Sequence, residues 1–181
     1  MINAYMALDL LGHESGERLM TEVRQSIEDL LVESDESAYY QPCVSPVWDT
    51  GLAALALVED GAEKNREELG RAFEWLRPLQ LLDEPGDWQV DHRNLAGGGW
   101  AFQYENAYYP DLDDTAVVGW AMHRSVDRDR YTGSIERAAD WLRGMQSSNG
   151  GFAAFDADNT HYALNEIPFA DHGALLDPPT V

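Results

Sequence analysis

The chain has 181 residues, of which 33 are acidic and 12 are basic, giving a net charge of −21. This charge excludes nucleic acid as a partner, because phosphate contacts need Lys and Arg, and it disfavours purely electrostatic docking on an anionic membrane, although not apolar insertion. Hydrophobic residues make up 44% of the chain, which predicts a folded domain. The single cysteine, Cys43, excludes an internal disulfide and a thiolate metal cage.

Six helices are predicted in chain order, because apolar residues recur at helical spacing between turn and capping residues. Pro46 suits the first turn of the third helix, and Ser134 is the expected cap of the sixth. Residues 1–10 lack the basic start and long apolar run of a signal peptide. No apolar stretch approaches the roughly 20 residues of a membrane-spanning helix. The predicted helices span 1–12, 17–33, 47–59, 64–79, 113–126 and 133–146, and the aromatic-rich segments 81–111 and 147–181 are predicted to be long, ordered loops.

The predicted helices differ in how their apolar residues are distributed. The segments 47–59 and 113–126 are apolar nearly all round, so we expect them to be inner helices. The segments 17–33, 64–79 and 133–146 carry Arg and Glu on one side, so we expect them to be outer helices. Alternating inner and outer helices predict an all-α toroid, a ring of helical hairpins around a central space.

An internal repeat supports this arrangement. Residues 71–80 and 137–146 share Arg, Ala, Trp, Leu, Arg and Gln at an offset of 66 positions. Asp49-Thr50 aligns with Asp114-Thr115 at an offset of 65 positions. The predicted unit is an apolar helix opened by Asp-Thr, an amphipathic helix ending near Gln, and a turn with glycine and an aromatic residue. The two turns are Gly86-Asp87-Trp88 and Asn149-Gly150-Gly151-Phe152.

The segment Asp111-Leu112-Asp113-Asp114-Thr115 places three carboxylates within four positions, ahead of an apolar run. Two interpretations are open on spacing alone. The cluster could be a plain acidic helix start, with Asp114 and Thr115 just ahead of the apolar run, because aspartate is favourable at a helix N-terminus. Alternatively, three neighbouring acids cannot all ionise freely, so one of them would stay protonated and could give its proton to a poor base. The equivalent Asp49-Thr50 lacks the two additional carboxylates.

Further motifs run through nearly the whole chain. They lie at residues 41–50, 99–106, 108–118, 144–152, 158–160, 167–169 and 177–179. Together they resemble the squalene–hopene cyclases. The Asp-x-Asp-Asp-Thr-Ala box alone would admit other class II terpene cyclases. The segments Ser-Pro-Val-Trp-Asp-Thr and Gln-Ser-Ser-Asn-Gly-Gly narrow the resemblance to the squalene–hopene type.

The resemblance implies a fold and an activity. The fold would be the α/α-toroid, of α6/α6 barrel type, with outer helices tied together through Gln and Trp side chains. Residues 1–44 would end one toroid and residues 45–181 would begin the catalytic toroid, so that this chain forms an incomplete ring. The reaction would be protonation-initiated cyclisation of squalene, or a similar polyprene, to a polycyclic hopanoid, with no cofactor and no metal. The family implies a membrane-associated protein on the cytoplasmic side of the bacterial inner membrane, and a possible homodimer.

The resemblance also implies roles for the acidic residues. Asp113 would be the proton donor, with Asp111 and Asp114 as its polarising partners. The family reinforces its donor with an Asp and a His, which we expect a few residues beyond Val181. Within this chain, Asp171-His172 is the alternative pair.

Aromatic side chains would stabilise the migrating cation through their π-faces. Phe102 and Phe155 are the main candidates, and Gln103 would help to hold the water that ends or deprotonates the cascade. Phe155 stands where the family often has Tyr, and Ala170 where many members have Cys, so the product is open. The cavity wall implied by the resemblance comprises Trp48, Phe102, Gln103, Tyr109, Phe155 and Phe169.

Two other functions are open. One is a different class II cyclase that acts on a shorter or oxidised polyprene; a basic diphosphate pocket would mark a diterpenyl diphosphate substrate. The other is a non-catalytic, truncated piece of a helical repeat. An open ring would expose inner helices such as 47–59 to water. Expressed alone, the chain is therefore expected to aggregate or to need detergent, and to show no cyclisation.

Overall fold

A computed structural model of the chain describes residues 2–41, 44–90, 94–104, 106–168 and 177–180. The chain divides into two compact units, Met1–Val44 and Ser45–Val181. The helical fold class predicted from the sequence is confirmed. Whether the first unit ends a separate toroid stays a prediction.

The first unit contains two helices and a short hairpin. Helix α1 spans Ile2–Leu10 and α2 spans Arg18–Glu28, and strands β1 (Leu31–Glu33) and β2 (Ala38–Tyr40) pair antiparallel. The helix predicted at residues 17–33 is therefore wrong at its C-terminal end, because α2 stops at Glu28 and β1 follows. Polar residues form the turn between the strands, where the Ser34 N–H donates to the Ser37 carbonyl oxygen at 2.8 Å. This turn allows the chain after α2 to fold back as a hairpin.

The second unit contains four helices in two consecutive hairpins. The predicted helices 47–59, 64–79, 113–126 and 133–146 are confirmed within a few residues, although the second ends in a 3₁₀ turn at Arg77–Leu79. The expected Ser134 cap is wrong, because the sixth helix begins two residues earlier and has no side-chain cap. These helices are α3 (Pro46–Gly61), α4 (Arg66–Leu76), α5 (Leu112–Arg124) and α6 (Thr132–Gly144).

The core of this unit lies between the two hairpins. Helix α3 packs on α5, and each of these helices also packs on the outer helix that follows it. Helix α4 buries Leu69, Phe73 and Leu76 at helical spacing, as expected of an outer helix. Phe73 meets Tyr131 edge to face, with ring centroids 5.3 Å apart. The α5–α6 hairpin therefore covers the buried side of the α3–α4 hairpin.

In the first copy of the repeat, Gln80 joins the end of α4 to a distant glycine pair. Its Nε2 donates to the carbonyl oxygens of Gly98, at 2.8 Å, and of Ser134, at 2.9 Å. The N–H of Leu81 donates to the Gly99 carbonyl oxygen at 2.9 Å. Because Ser134 belongs to α6, this glutamine ties the two outer helices together.

In the second copy, Gln146 forms the same contacts with the glycine pair that follows it. Its Nε2 donates to the Gly150 carbonyl oxygen at 2.7 Å, and the Ser147 N–H donates to the Gly151 carbonyl oxygen at 3.0 Å. The aromatic residue after this pair is Phe152. It corresponds to Trp100 in the first copy.

The predicted pairing of Gly86-Asp87-Trp88 with the second turn is therefore wrong. Gln and glycine lie 18 residues apart in the first copy and 4 in the second, so the first copy holds 14 additional residues. Trp88 lies within this insertion and packs edge to face on Trp141, with ring centroids 5.8 Å apart. Sequence comparison selected the nearest glycine, whereas the hydrogen bonds identify the structural equivalent.

Candidate active site

The acid segment begins helix α5, and Asp111 caps it. Asp111 has an extended backbone, and its Oδ1 accepts the N–H of Asp114 at 2.7 Å. The acidic helix start expected of this cluster is confirmed, with Asp111 as its capping residue, whereas Asp114 and Thr115 lie inside the helix. Aspartate at this position satisfies one of the free N–H groups of the first turn and favours negative charge there.

Thr115 holds the cap in place. Its Oγ1 donates to the Asp111 carbonyl oxygen at 2.6 Å and accepts the Trp100 N–H at 2.9 Å. The Trp100 carbonyl oxygen accepts the Asp111 N–H at 2.9 Å, and the Trp100 indole donates to the Leu76 carbonyl oxygen at 2.8 Å. Thr115 and Trp100 are fully buried. The start of α5 is thus fixed to the end of α4.

Two of the three acids are buried. Asp111 and Asp114 are each 3% exposed, and their Oδ2 and Oδ1 atoms, respectively, have no hydrogen-bond partner among the described residues. Burial raises the pKa of Asp111 to about 6, against hydrogen bonds from Asp114 that lower it. Burial, and then repulsion from the Asp111 carboxylate, raise the pKa of Asp114 to about 8. The buried pair therefore retains a proton at neutral pH.

Asp113 faces the other way. It is exposed and lines a cavity of about 520 Å³ together with Ala116, Phe152, Ala154 and Asp177. Neither Asp111 nor Asp114 lines this cavity. Among the three acids, Asp113 is therefore the one that a molecule in the cavity would meet.

Asp177 organises the loop beside the acids. Its carboxylate accepts the N–H groups of Ala154 at 2.9 Å, Phe155 at 2.5 Å and Asp156 at 2.8 Å. The Ala154 carbonyl oxygen accepts the Leu112 N–H, in the first turn of α5, at 2.8 Å. Sequence analysis assigned Asp177 no role. The available signal was its place in the Asp-Pro-Pro segment, because the two prolines that follow have no N–H to donate to this carboxylate, so its hydrogen bonds must come from another segment.

The predicted wall residues lie on several segments around α5. Phe102 is half-buried, and its carbonyl oxygen accepts the Val47 N–H at 3.3 Å, which places it at the start of α3 next to the half-buried Trp48. Phe155 is 36% exposed on the loop that Asp177 holds. Gln103 is half-buried.

At two aromatic residues, Tyr109 and Phe152, the structure differs from the predicted cavity wall. Tyr109 is 44% exposed and meets Tyr108 edge to face. The aromatic side chain in the cavity beside Asp113 is Phe152, and Phe155 is not part of its lining. Sequence analysis treated Phe152 as a repeat residue only. Phe169 and the alternative pair Asp171-His172 lie outside the described residues, as does Ala170.

The described segments contain neither a metal-ligand cluster nor a membrane-spanning helix. In the described segments, no group of three or more His, Cys, Asp or Glu side chains is placed to hold a metal ion. Within the same part of the chain, no helix has both the length and the apolar character needed to cross a bilayer.

Known proteins match the chain along its length. A sequence profile described as the squalene-hopene cyclase C-terminal domain matches residues 44–181. The squalene–hopene cyclase of Bradyrhizobium diazoefficiens is 51% identical over 183 residues, which cover 99% of this chain and 28% of that protein. That of Zymomonas mobilis is 48% identical over 99% of this chain and 29% of its own length. The squalene–hopene cyclase of Alicyclobacillus acidocaldarius is 50% identical over 78% of this chain and 22% of its own length. The chain thus spans less than a third of these relatives.

Proposed function

The chain belongs to the squalene–hopene cyclase family, and we propose that it supplies the proton-donating segment of an enzyme that cyclises squalene to a polycyclic hopanoid. The observation that supports this proposal most is that the three acids differ in their surroundings. Asp113 reaches a cavity, while Asp111 and Asp114 lie buried behind it with raised pKa values. The α-toroid of the family agrees with the consecutive helical hairpins of the second unit.

The chemistry begins with an alkene, which is a very weak base. A donor must be neutral before the transfer and able to lose its proton to carbon. Asp113 is exposed when the cavity is empty, and a substrate filling that cavity would shield it from water. In the proposed step the Asp113 carboxyl group gives its proton to a terminal alkene carbon. The π electrons form the new C–H bond, and a tertiary cation remains on the neighbouring carbon. Each following alkene then attacks the cation, and loss of a proton or addition of water ends the cascade.

The surroundings of Asp113 favour this step in two ways. The carboxylate left on Asp113 lies in the first turn of α5, where free N–H groups and the helix dipole stabilise negative charge. The buried Asp111–Asp114 pair retains a proton at neutral pH, so the cluster does not carry three full negative charges. Asp111 and Asp114 would titrate as one coupled pair.

The apolar character of a polyprene substrate also suggests where in the cell the protein works. Squalene partitions into a bilayer, so we propose that the protein works at the cytoplasmic face of the bacterial inner membrane, as a peripheral protein and a possible homodimer. The proposed cation-stabilising faces are those of Phe102, Phe155, Trp48 and Tyr109. Phe152 joins this set because it lines the cavity beside Asp113. A carboxylic acid supplies the proton, so the proposal needs no cofactor.

The test uses a chimera, because the chain covers only part of its relatives. In the chimera, this chain replaces the matching segment of the Bradyrhizobium diazoefficiens protein, and conversion of squalene is followed by gas chromatography with mass detection. Asp113→Asn should abolish product while the circular dichroism spectrum is retained. The matched control is Asp140→Asn, an exposed acid on α6 that should leave conversion unchanged.

Two outcomes would contradict the proposal. Near-normal conversion by the Asp113→Asn chimera would remove the donor assignment. Conversion of an oxidised or shorter polyprene, but not of squalene, by the unsubstituted chimera would favour a different class II cyclase.

A further inference from the structure

The segment at residues 177–180 lies across the loop beside the acids, and we call this segment the strap. At its far end, Thr180 pairs with Phe152 through two backbone hydrogen bonds. The Phe152 N–H donates to the Thr180 carbonyl oxygen at 3.0 Å, and the Thr180 N–H donates to the Phe152 carbonyl oxygen at 2.9 Å. A Cβ atom added to Gly151 would collide with the Thr180 carbonyl oxygen, so the glycine permits this close approach.

At the near end of the strap, Asp177 binds the same loop through both of its carboxylate oxygens. Its Oδ1 accepts the Ala154 N–H, and its Oδ2 accepts the N–H groups of Phe155 and Asp156. Consecutive N–H groups that converge in this way are typical of the backbone nests that bind anions. Both oxygens are used as acceptors, so Asp177 fixes the loop instead of offering a proton to the cavity. We call residues 152–156 the held loop.

The held loop connects Asp177 to the helix that carries the proposed proton donor. The Ala154 carbonyl oxygen accepts the Leu112 N–H at 2.8 Å. Leu112 is the first residue of α5 and directly precedes Asp113. The first N–H groups of a helix have no partner within the helix, so the held loop supplies an acceptor that α5 lacks. Ala154 alone therefore links the Asp177 carboxylate to the backbone next to Asp113.

The held loop also carries two of the aromatic residues proposed to stabilise the cation. Phe152 lines the cavity with Asp113 and is fixed by Thr180. Phe155 is fixed by Asp177 through its N–H. The strap thus determines where both aromatic residues lie with respect to the start of α5.

We propose that Asp177 is a positioning residue for the cyclisation, which keeps the donor Asp113 and the aromatic residues of the held loop aligned with one another. This inference rests on the proposed function, because it assigns Asp177 a part in the same reaction. Asp177 acts through the backbone of the held loop, and the chemistry remains with Asp113. A displacement of about 1 Å in a positioned group can lower a rate by about 100-fold.

Misalignment should affect the products as well as the rate. When an aromatic face no longer lies beside the cation, the cation is stabilised less and loses a proton sooner. In that step a C–H bond next to the cationic carbon breaks, its electrons form an alkene, and water takes the proton. The cascade then ends before all the rings have formed.

The test uses Asp177→Asn in the chimera described above. The amide has the size of the carboxylate but only one acceptor oxygen, so an N–H group of the side chain would face an N–H group of the held loop. We expect kcat to fall by about 10-fold or more with a retained circular dichroism spectrum, and KM to change by about 2-fold or less. The share of incompletely cyclised products should rise. Lower stability alone does not produce this rise, because a smaller folded fraction lowers all products equally.

The matched control is Asp158→Asn, in the same part of the chain. The Asp158 Oδ1 accepts the Ser148 N–H at 2.9 Å and its Oγ at 2.8 Å, and Asp158 does not line the cavity. This variant should lower stability while leaving kcat and the product ratio unchanged. A second variant, Asp177→Glu, keeps both acceptor oxygens one methylene farther from the backbone. It should give a smaller loss of kcat, and it serves as the test if Asp177→Asn does not fold.

Amide hydrogen exchange in the same chimera follows the positioning without any turnover. Asp177→Asn should speed exchange by about 10-fold or more in peptides that contain Leu112 and in peptides that contain residues 154–156, because those N–H groups lose their fixed acceptors. Asp158→Asn should leave exchange at Leu112 unchanged.

The inference is overturned if Asp177→Asn gives the kcat and product ratio of Asp158→Asn. It is equally overturned if exchange at Leu112 does not change in Asp177→Asn. The proposed function fails in a different way, namely if the unsubstituted chimera does not convert squalene or if its Asp113→Asn variant does. In that case the exchange measurement still decides whether Asp177 positions the start of α5.

Discussion

The two copies of the repeat begin their inner helices with the same Asp-Thr pair but differ in how that pair is surrounded. In the first copy, Asp49 is exposed, Thr50 is half-buried and Ser45 provides no side-chain cap. In the second copy, Asp114 and Thr115 are buried and Asp111 caps the helix. An Asp-Thr pair at the start of an inner helix is therefore compatible with this fold without any catalytic role. The suppressed ionisation of the second copy comes from burial and from the two additional carboxylates.

The largest expected difference between the copies is in activity. In the chimera, Asp113→Asn should lower conversion of squalene by at least about 100-fold, the range typical for removing a positioned acid. Asp49→Asn, at the copy without the extra acids, should change conversion by a factor of about two or less, since Asp49 does not line the cavity beside Asp113 and cannot reach a molecule bound there. Equal losses in the two variants would show that the copies share the catalytic role.

The second difference is in stability. Thr115→Val removes a hydroxyl that serves both Asp111 and Trp100, so the free energy of unfolding should fall by about 2 kcal/mol. Thr50→Val should cost about 0.5 kcal/mol or less, because its side chain is half-buried. Urea unfolding of the chain, followed by circular dichroism, measures both. If Thr50→Val lowered the free energy of unfolding as much as Thr115→Val, the two copies would not differ in how their threonine stabilises the fold.

The third prediction concerns pH. The pKa values of Asp111 and Asp114 are raised in the folded chain to about 6 and about 8. At these two groups the folded chain thus binds more protons than the unfolded one. Their contribution to stability is therefore fully present below the ordinary pKa of aspartate, near 4, and is lost as pH rises through 6 and 8. The slope should reach about 1 kcal/mol per pH unit.

Asp114→Asn separates this effect from the rest of the chain. It should flatten the fall between pH 6 and pH 8, because the group with the higher pKa no longer titrates. The matched control, Asp140→Asn, at an exposed position on α6, should leave the slope in place. Stability that rises over this range in the unsubstituted chain would contradict the raised pKa values.

The smallest predicted effect is at the aromatic residue of the turn. Trp100→Phe makes the first copy resemble the second, which has Phe152 there, and it removes the donor to the Leu76 carbonyl oxygen. The free energy of unfolding should fall by about 1–2 kcal/mol from the lost hydrogen bond and reduced packing. No measurable change would mean that another group satisfies this carbonyl.

Much of the fold follows from local pattern. Apolar periodicity located the four helices of the second unit, because a helix that packs on one side must repeat its apolar residues every three to four positions. The pattern did not locate the hairpin after α2, since β1 and β2 depend on pairing between distant residues. Nor did it identify Gly98-Gly99 as the true partner of Gln80, because the 14-residue insertion hides that contact from any comparison by nearest position.

The candidate site divides in the same way. The sequence by itself determined that three acids stand together ahead of an apolar helix, and its motifs predicted the squalene–hopene cyclase family, to which the chain belongs. Only the tertiary structure decided that Asp111 and Asp114 are buried while Asp113 lines a cavity, and that Asp177 holds the loop beside them. The reason is physical. Spacing sets which side of a helix a residue occupies, but burial, and with it the pKa, depends on segments that return from elsewhere in the chain to cover that side.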